Sequence, residues 1–173
     1  MINDNQPIPG DQARVSVVVG VPPDVAFRIF TEEIDRWWRR GLKYRVAGTH
    51  PGSIHMEPRQ GGRIFESFES DSGMKTVETG TITLWEPPSR LIFDWRGASF
   101  SANEKTEVEV SFHRNSTGTL VTVTHRGWSA IRADHPVRHN LDIPSFIGMF
   151  GLWWGDLMTS LRDYAAASHH TDR

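Results

Sequence analysis

Residues Glu107 to His125 read EVEVSFHRNSTGTLVTVTH. In the first half Val108, Val110 and Phe112 alternate with Glu107, Glu109 and Ser111. That is the period of a strand with one face buried and the other in water. Asn115-Ser116-Thr117-Gly118 interrupts the pattern with turn-forming residues, and Leu120 to His125 resumes it. Two strands joined by so short a turn pair antiparallel. The same period extends upstream, predicting strands near 53–58, 62–69, 75–86, 89–96, 105–114 and 118–127. Gly61-Gly62 marks a hairpin between the first two, and Pro87-Pro88-Ser89 a turn between the third and fourth. The centre of the chain is a six-strand antiparallel meander.

The flanks have other periods. Ala13 to Gly20 (ARVSVVVG) reads as a strand with Val15, Val17 and Val19 on one face. Pro22-Pro23-Asp24 opens a helix, and Phe27, Phe30, Ile34, Trp37 and Trp38 continue at helical spacing. Thr31-Glu32-Glu33 divides this stretch into two short helices, with Arg39, Arg40 and Lys43 favoured at the C-terminal end of the dipole. At the other end Pro144-Ser145 is the expected start of a long helix, with Ser145 as its cap. Phe146, Met149, Phe150, Trp153, Trp154, Leu157, Leu161, Tyr164 and Ala165 carry its apolar spacing. Gly148, Gly151 and Gly155 are costly in a helix. They either let the backbone approach the sheet or leave room for something else. A strand, two short helices, a meander and one long helix make an α+β domain, a curved antiparallel sheet around a C-terminal helix.

Composition bounds the function. The 173 residues carry 19 basic and 21 acidic side chains and no cysteine. One domain is expected, over residues 13–168, with a flexible tail at 1–12 and a polar tail at 169–173. A chain without cysteine has no thiolate nucleophile, no disulfide and no Cys-ligated metal. The near-neutral charge, with Arg59, Arg63, Arg90 and Arg96 scattered over the strands, offers no track for nucleic acid. Met1 to Gly10 (MINDNQPIPG) has neither the basic nor the apolar region of a signal peptide, and no apolar run is long enough to span a membrane. A cytoplasmic location is the expectation. The seven tryptophans, at 37, 38, 85, 95, 128, 153 and 154, are the unusual feature. Such rings fill cores, and they also line cavities for apolar ligands.

Several pieces in this order resemble the START-like (SRPBCC, Bet v 1-like) superfamily with its helix-grip fold. They are Pro22-Pro23-Asp24-Val25-Ala26-Phe27, Trp37-Trp38, Pro58-Arg59-Gln60-Gly61-Gly62-Arg63, Gly80 before Trp85-Glu86-Pro87-Pro88, and Arg90 to Trp95. Thr119 to His125 and Trp154-Gly155-Asp156-Leu157 with Leu161 complete the set. Within the superfamily the chain is similar to single-domain bacterial relatives of the C-terminal domain of the activator of the 90-kDa heat-shock-protein ATPase. The resemblance runs from about Val15 to Ala167. It implies a cavity between sheet and C-terminal helix for a lipid, polyketide or other hydrophobic molecule, and lends an association with the stress response. The eukaryotic activator has an additional N-terminal domain, and one domain fills these residues, so direct chaperone contact is not expected.

Three functions fit. The first is a small-molecule binding protein whose cavity is lined by Phe27, Phe30, Trp37, Trp38, Phe93, Trp95, His125, Trp128, Phe150, Trp153, Trp154 and Leu157. The second is an interaction module that meets a chaperone or a second copy of the chain. The third is a cyclase- or dehydratase-type enzyme using His125 or Glu78 as general base. His125 shares its predicted face with Val121 and Val123, where a satisfied core histidine is the alternative. Glu66, Glu69 and Asp94 are expected in solvent by parity, whereas the face of Glu78 also holds Gly80, Ile82 and Leu84. His55 and Glu57 share a strand face but lack a third metal ligand. His135 and His139 sit around Pro136, which suits a hydrated loop better than a metal-binding helix. His169-His170 belongs to the tail. No cofactor or metal site is expected.

Overall fold

The computed structural model describes residues 11–97, 100–131 and 134–168. Strand β1 (Gln12–Val19) leads into helices α1 (Pro23–Thr31) and α2 (Ile34–Trp37). Strands β2 (Gly52–Met56), β3 (Arg63–Ser70), β4 (Gly73–Glu86), β5 (Arg90–Trp95), β6 (Thr106–Asn115) and β7 (Gly118–Arg126) follow. Two 3-10 turns (Trp128–Ala130 and Pro136–Arg138) precede helix α3 (Ile143–Ser168). The strands form one curved antiparallel sheet in the order β1-β7-β6-β5-β4-β3-β2. The chain is an α+β helix-grip domain.

The sheet is built on the opening stretch. Val110 faces Val123 and Phe112 faces Val121 across β6 and β7, and β1 adds Val15 and Val17 opposite the same two valines of β7. Val108, Val110, Val121 and Val123 are fully buried. On the outer face Ser16 hydrogen-bonds Thr122 at 2.8 Å, and Arg126 pairs with Glu107 at 2.7 Å. Helix α3 lays Phe146, Phe150, Trp154, Leu157, Met158, Leu161 and Ala165 against the concave face. Phe27 and Phe30 of α1 pack on Phe112, with ring centroids 5.0 and 5.9 Å apart. Truncating a ring such as Phe112 to alanine costs about 3–5 kcal/mol, since the transfer loss and the cavity add.

Four local expectations are corrected. The cap of α3 is Asp142, whose carboxylate accepts the Ser145 N–H at 2.9 Å, so the helix begins at Ile143, before Pro144-Ser145. Gly148, Gly151 and Gly155 have nothing within 4 Å of a virtual Cβ, so they do not serve close approach to the sheet. The first strand begins inside the predicted tail: Gln12 is in β1, and Asp11, 6% exposed, accepts hydrogen bonds from the backbone and hydroxyl of Ser129. The His135–His139 segment is no hydrated loop, because His135 and Arg138 are buried and the His135 ring accepts the Val137 N–H at 3.1 Å. The predicted tail at 169–173, with His169 and His170, lies outside the described residues, as do residues 1–10.

Strand β4 carries two register shifts. Ile64 pairs with Gly80 but Phe65 pairs with Glu78, which leaves Thr79 as an extra residue. A second shift falls between Ile82 and Leu84. One extra residue reverses the facing of everything beyond it. Hence Thr79, Gly80 and Ile82 are all buried, while Glu78 is exposed.

Candidate functional site

The two turns-rich segments, 41–50 and 134–142, flank an open cleft of about 620 Å³ at the α2 end of the sheet. Its walls come from Trp38 and the Leu42–Val46 run, from Ile54, Glu66, Thr79 and Trp95 on the sheet, and from Met149, Phe150, Leu152 and Trp153 of α3. Val137, His139 and the Arg96-Gly97 pair close the rim. The volume lies within the usual range of small-molecule sites.

The near wall is held at its base by Arg45. Its guanidinium donates to the carbonyls of Asp35 (3.0 Å) and Trp38 (2.7 Å), and its Nε to that of Arg39 (3.2 Å). These are the carbonyls that α2 leaves open at its C-terminal end. Arg45 also pairs with the Asp35 carboxylate at 2.6 Å, its own side chain 2% exposed. Burial pushes the Asp35 carboxyl up, but the Ile54 N–H and the Arg45 and Arg40 guanidinium groups outweigh it and hold the pKa below the ordinary value. Gly41, with φ of +100°, provides the turn before this segment, and its carbonyl accepts the N–H groups of Tyr44 and Arg45.

Residues 43–47 then form a strap between helix and sheet. On the α3 side the Trp153 indole N–H donates to the Lys43 carbonyl at 2.8 Å, and the Tyr44 hydroxyl donates to Asp156 at 2.8 Å. The Tyr44 and Trp153 rings stack 6.0 Å apart. The hydrogen bonds that Tyr44 and Lys43 donate to Asp156 lower its pKa, and the bond to this acceptor raises the Lys43 pKa. On the sheet side Glu66 accepts the N–H groups of Val46 (2.7 Å) and Ala47 (3.2 Å). Glu66 is only 3% exposed. It is a carboxylate on the floor of a cleft whose walls include the rings of Trp38, Tyr44, Trp95, Phe150 and Trp153.

Of the twelve residues expected to line a cavity, Trp38, Trp95, Phe150 and Trp153 face this cleft. Phe27, Phe30, Trp37, Phe93, His125, Trp128, Trp154 and Leu157 are packed in the core, none more than 3% exposed. Rings among them are in mutual contact, as with His125 and Trp128 at 4.6 Å or Trp37 and Phe30 at 5.0 Å. The lining that periodicity missed includes Glu66, Thr79, Tyr44, Leu42 and Leu152. A signal for Glu66 was present: it has the parity of Ile64 and Phe68, both buried on the same strand.

The two candidate bases lie elsewhere. His125 is fully buried, behind Trp95 and Phe150, whose ring centroids are 5.4 and 5.0 Å from its own. Its Nδ1 accepts the Trp154 indole N–H at 3.1 Å, which puts the ring proton on Nε2, 2.6 Å from the Thr106 hydroxyl. Thr106 in turn donates to the Trp95 carbonyl at 3.1 Å. Both nitrogens are occupied, and burial lowers the pKa well below that of free histidine. Glu78 is exposed on the other side of the sheet, 3.3 Å from Arg63, in a shallow polar depression with Asp94 and Lys105. The other singled-out groups are also engaged. His55 hydrogen-bonds Ser53 and stacks on Phe65, while Glu57 pairs with Arg63, whose hydrogen bonds bring the carboxyl down to about 2. Among the described residues no three His, Asp or Glu side chains gather as metal ligands, and no helix is long and apolar enough to cross a membrane.

Known structures share this architecture at low identity. A protein from Mesorhizobium loti superposes with a TM-score of 0.61 and 17% identity, covering 91% of this chain and 98% of its own. A protein of unknown function from Staphylococcus aureus gives 0.62 and 12%, covering 91% and 94%. The solution structure described as the Aha1 dimer from Colwellia psychrerythraea gives 0.59 and 15%, covering 89% and 95%. At such identities the likeness is one of fold. Among curated proteins none matches this chain. The sequence model of one family matches residues 20–143, most of the domain, from the turn after β1 to the start of α3. The chain belongs to that family, described as Activator of Hsp90 ATPase homolog 1-like protein.

Proposed function

We propose that the chain binds a hydrophobic small molecule in the cleft beneath the 43–47 strap. The observation that carries this reading is the aromatic opening itself, with Trp38, Trp95, Phe150 and Trp153 as walls and strongly exposed apolar side chains at its rim. Leu42 is 85% and Leu152 76% exposed, and Met149 is 37% exposed beside them. A ligand seated among the four rings would cover part of this apolar surface. Enzyme chemistry has less support, since neither His125 nor Glu78 lines the cleft. The test is thermal unfolding against a panel of fatty acids, sterols and aromatic compounds. A ligand at a hundred times its Kd stabilises by about 2.7 kcal/mol, a shift of roughly 5–11 °C for a chain of this size. A shift for one chemical class supports the reading, and a flat response across the panel contradicts it.

The same rim favours a second reading, an interface with a second copy of the chain or with a protein partner. Exposed Leu42 and Leu152 are its anchors, and one structure of the same fold is described as a dimer. Light scattering across a concentration series tests self-association. A strict monomer up to high concentration sets that reading aside.

A further inference from the structure

Glu66 narrows what the cleft takes; this rests on the cleft binding small molecules at all. Its carboxylate lines the floor, on the strand position paired with Ile54, and is 97% withdrawn from solvent by its 3% exposure. Among the described residues no Lys or Arg lies in ion-pair range of it, and each oxygen receives one backbone N–H, from Val46 and Ala47. A carboxylate has about four acceptor positions. Half of that capacity is unused in a place where water is largely displaced. The neighbouring Thr79 hydroxyl directs its hydrogen to the Ile64 carbonyl at 3.4 Å, so it too presents lone pairs to the cleft. Around Glu66 and Thr79 the floor therefore offers acceptors.

The cations near the cleft are already answered: Arg45 pairs with Asp35 and Lys43 with Asp156. An anionic ligand would meet the Glu66 carboxylate on the floor. At Glu66 an ether would bring lone pairs against lone pairs. A hydroxyl or an ammonium group has neither conflict and supplies the missing hydrogen. Hydrogen bonds to a charged acceptor are the strong ones, and a buried acceptor left facing an acceptor is costly.

We propose that the cleft selects apolar molecules that carry a hydrogen-bond donor, a hydroxyl or an ammonium group, on the end that enters first, with the Glu66 carboxylate accepting its hydrogen. Four shape-matched probes separate the possibilities by calorimetric titration at neutral pH: para-hexylphenol, para-hexylanisole, para-hexylbenzoate and para-hexylbenzylamine. The phenol is expected to bind at least about tenfold more tightly than the anisole, in line with one charge-assisted hydrogen bond. Benzoate is expected to be weaker still, and benzylamine, whose ammonium donates to the same carboxylate, at least as tight as the phenol. Glu66→Gln is expected to bring the phenol-to-anisole affinity ratio to about one, whatever loss the two probes share. A purely structural role for Glu66 would instead weaken both together with their ratio kept, and that result overturns the proposal. So does a wild-type ranking in which anisole or benzoate equals or exceeds phenol, whatever the variant does; in that case the cleft still binds and only the selectivity claim falls. Binding by none of the four removes the cleft reading along with it.

Discussion

The buried imidazole of His125 makes stability depend on pH in a way that can be worked out from its contacts. The ring is fully buried, accepts the Trp154 indole N–H on Nδ1, and has Nε2 against the Thr106 hydroxyl. Protonation would place a second hydrogen on Nδ1, pointing at an N–H donor, in a shell of aromatic rings. Burial accordingly lowers its pKa well below the ordinary histidine value of about 6.5. Above pH 6.5 the imidazole is neutral in folded and unfolded chains alike, and stability is complete. As the medium acidifies below that value the unfolded chain gains a proton that the folded chain refuses, so stability falls until the native imidazole itself titrates. One proton of difference amounts to about 1.4 kcal/mol per pH unit. Between pH 6.5 and 5.5 the unfolded imidazole goes from about half to about nine-tenths protonated, worth about 1.0 kcal/mol, which lowers Tm by roughly 2–4 °C for a domain of this length. Urea unfolding followed by tryptophan fluorescence, at closely spaced pH values, measures it. The reference is His125→Gln, which has no titrating ring. The wild type is expected to lose stability more steeply than the variant by this one-proton slope. Equal slopes would refute the assignment of His125 as a neutral core group and would return it to the list of candidate bases.

Two further outcomes follow from the strap and its anchor. Arg45→Ala leaves the carbonyls of Asp35, Trp38 and Arg39 without their donor and the Asp35 carboxylate without its closest partner; a loss of about 3 kcal/mol is expected in urea unfolding. Asp156→Ala removes the acceptor that Tyr44 and Lys43 share, so amide hydrogen exchange at residues 43–47 is expected to quicken while β6 and β7 stay protected. Because Tyr44 and Lys43 depress the Asp156 pKa, that fastening is complete at neutral pH and is released as the pH falls through the depressed value. Exchange that quickens equally in the central strands would contradict a local role for the strap.

The fold is legible where side chains repeat with the period of a regular element. Val108, Val110 and Phe112 announce β6, and the spacing from Phe146 to Ala165 announces α3, because in both one face alone leaves water. The cleft is less legible, because segments without a period shape it. Nothing in the spacing of Arg45 reveals that it ties the end of α2, and nothing before Asp142 predicts it as the cap of α3. The tryptophans mislead in a physical way, since ring count does not distinguish packing from lining: Trp37, Trp128 and Trp154 pack tightly, whereas Trp38, Trp95 and Trp153 reach the cleft. Glu78 and Glu66 show the limit of parity. The extra residue Thr79 turns Glu78 outward, a bulge that a single strand does not announce. Glu66 needed no bulge to be found, only comparison with Ile64 and Phe68 on its own strand.

The indole N–H resonances provide the most direct test of the central claim, that apolar molecules occupy the cleft under the strap. Seven tryptophans give seven reporters, distributed between cleft and core. On titration with para-hexylphenol, the signals of Trp38, Trp95 and Trp153 are expected to move, while those of Trp37, Trp85, Trp128 and Trp154 hold their positions. Movement confined to Trp37, Trp128 and Trp154, or no movement at saturating concentration, would contradict the account.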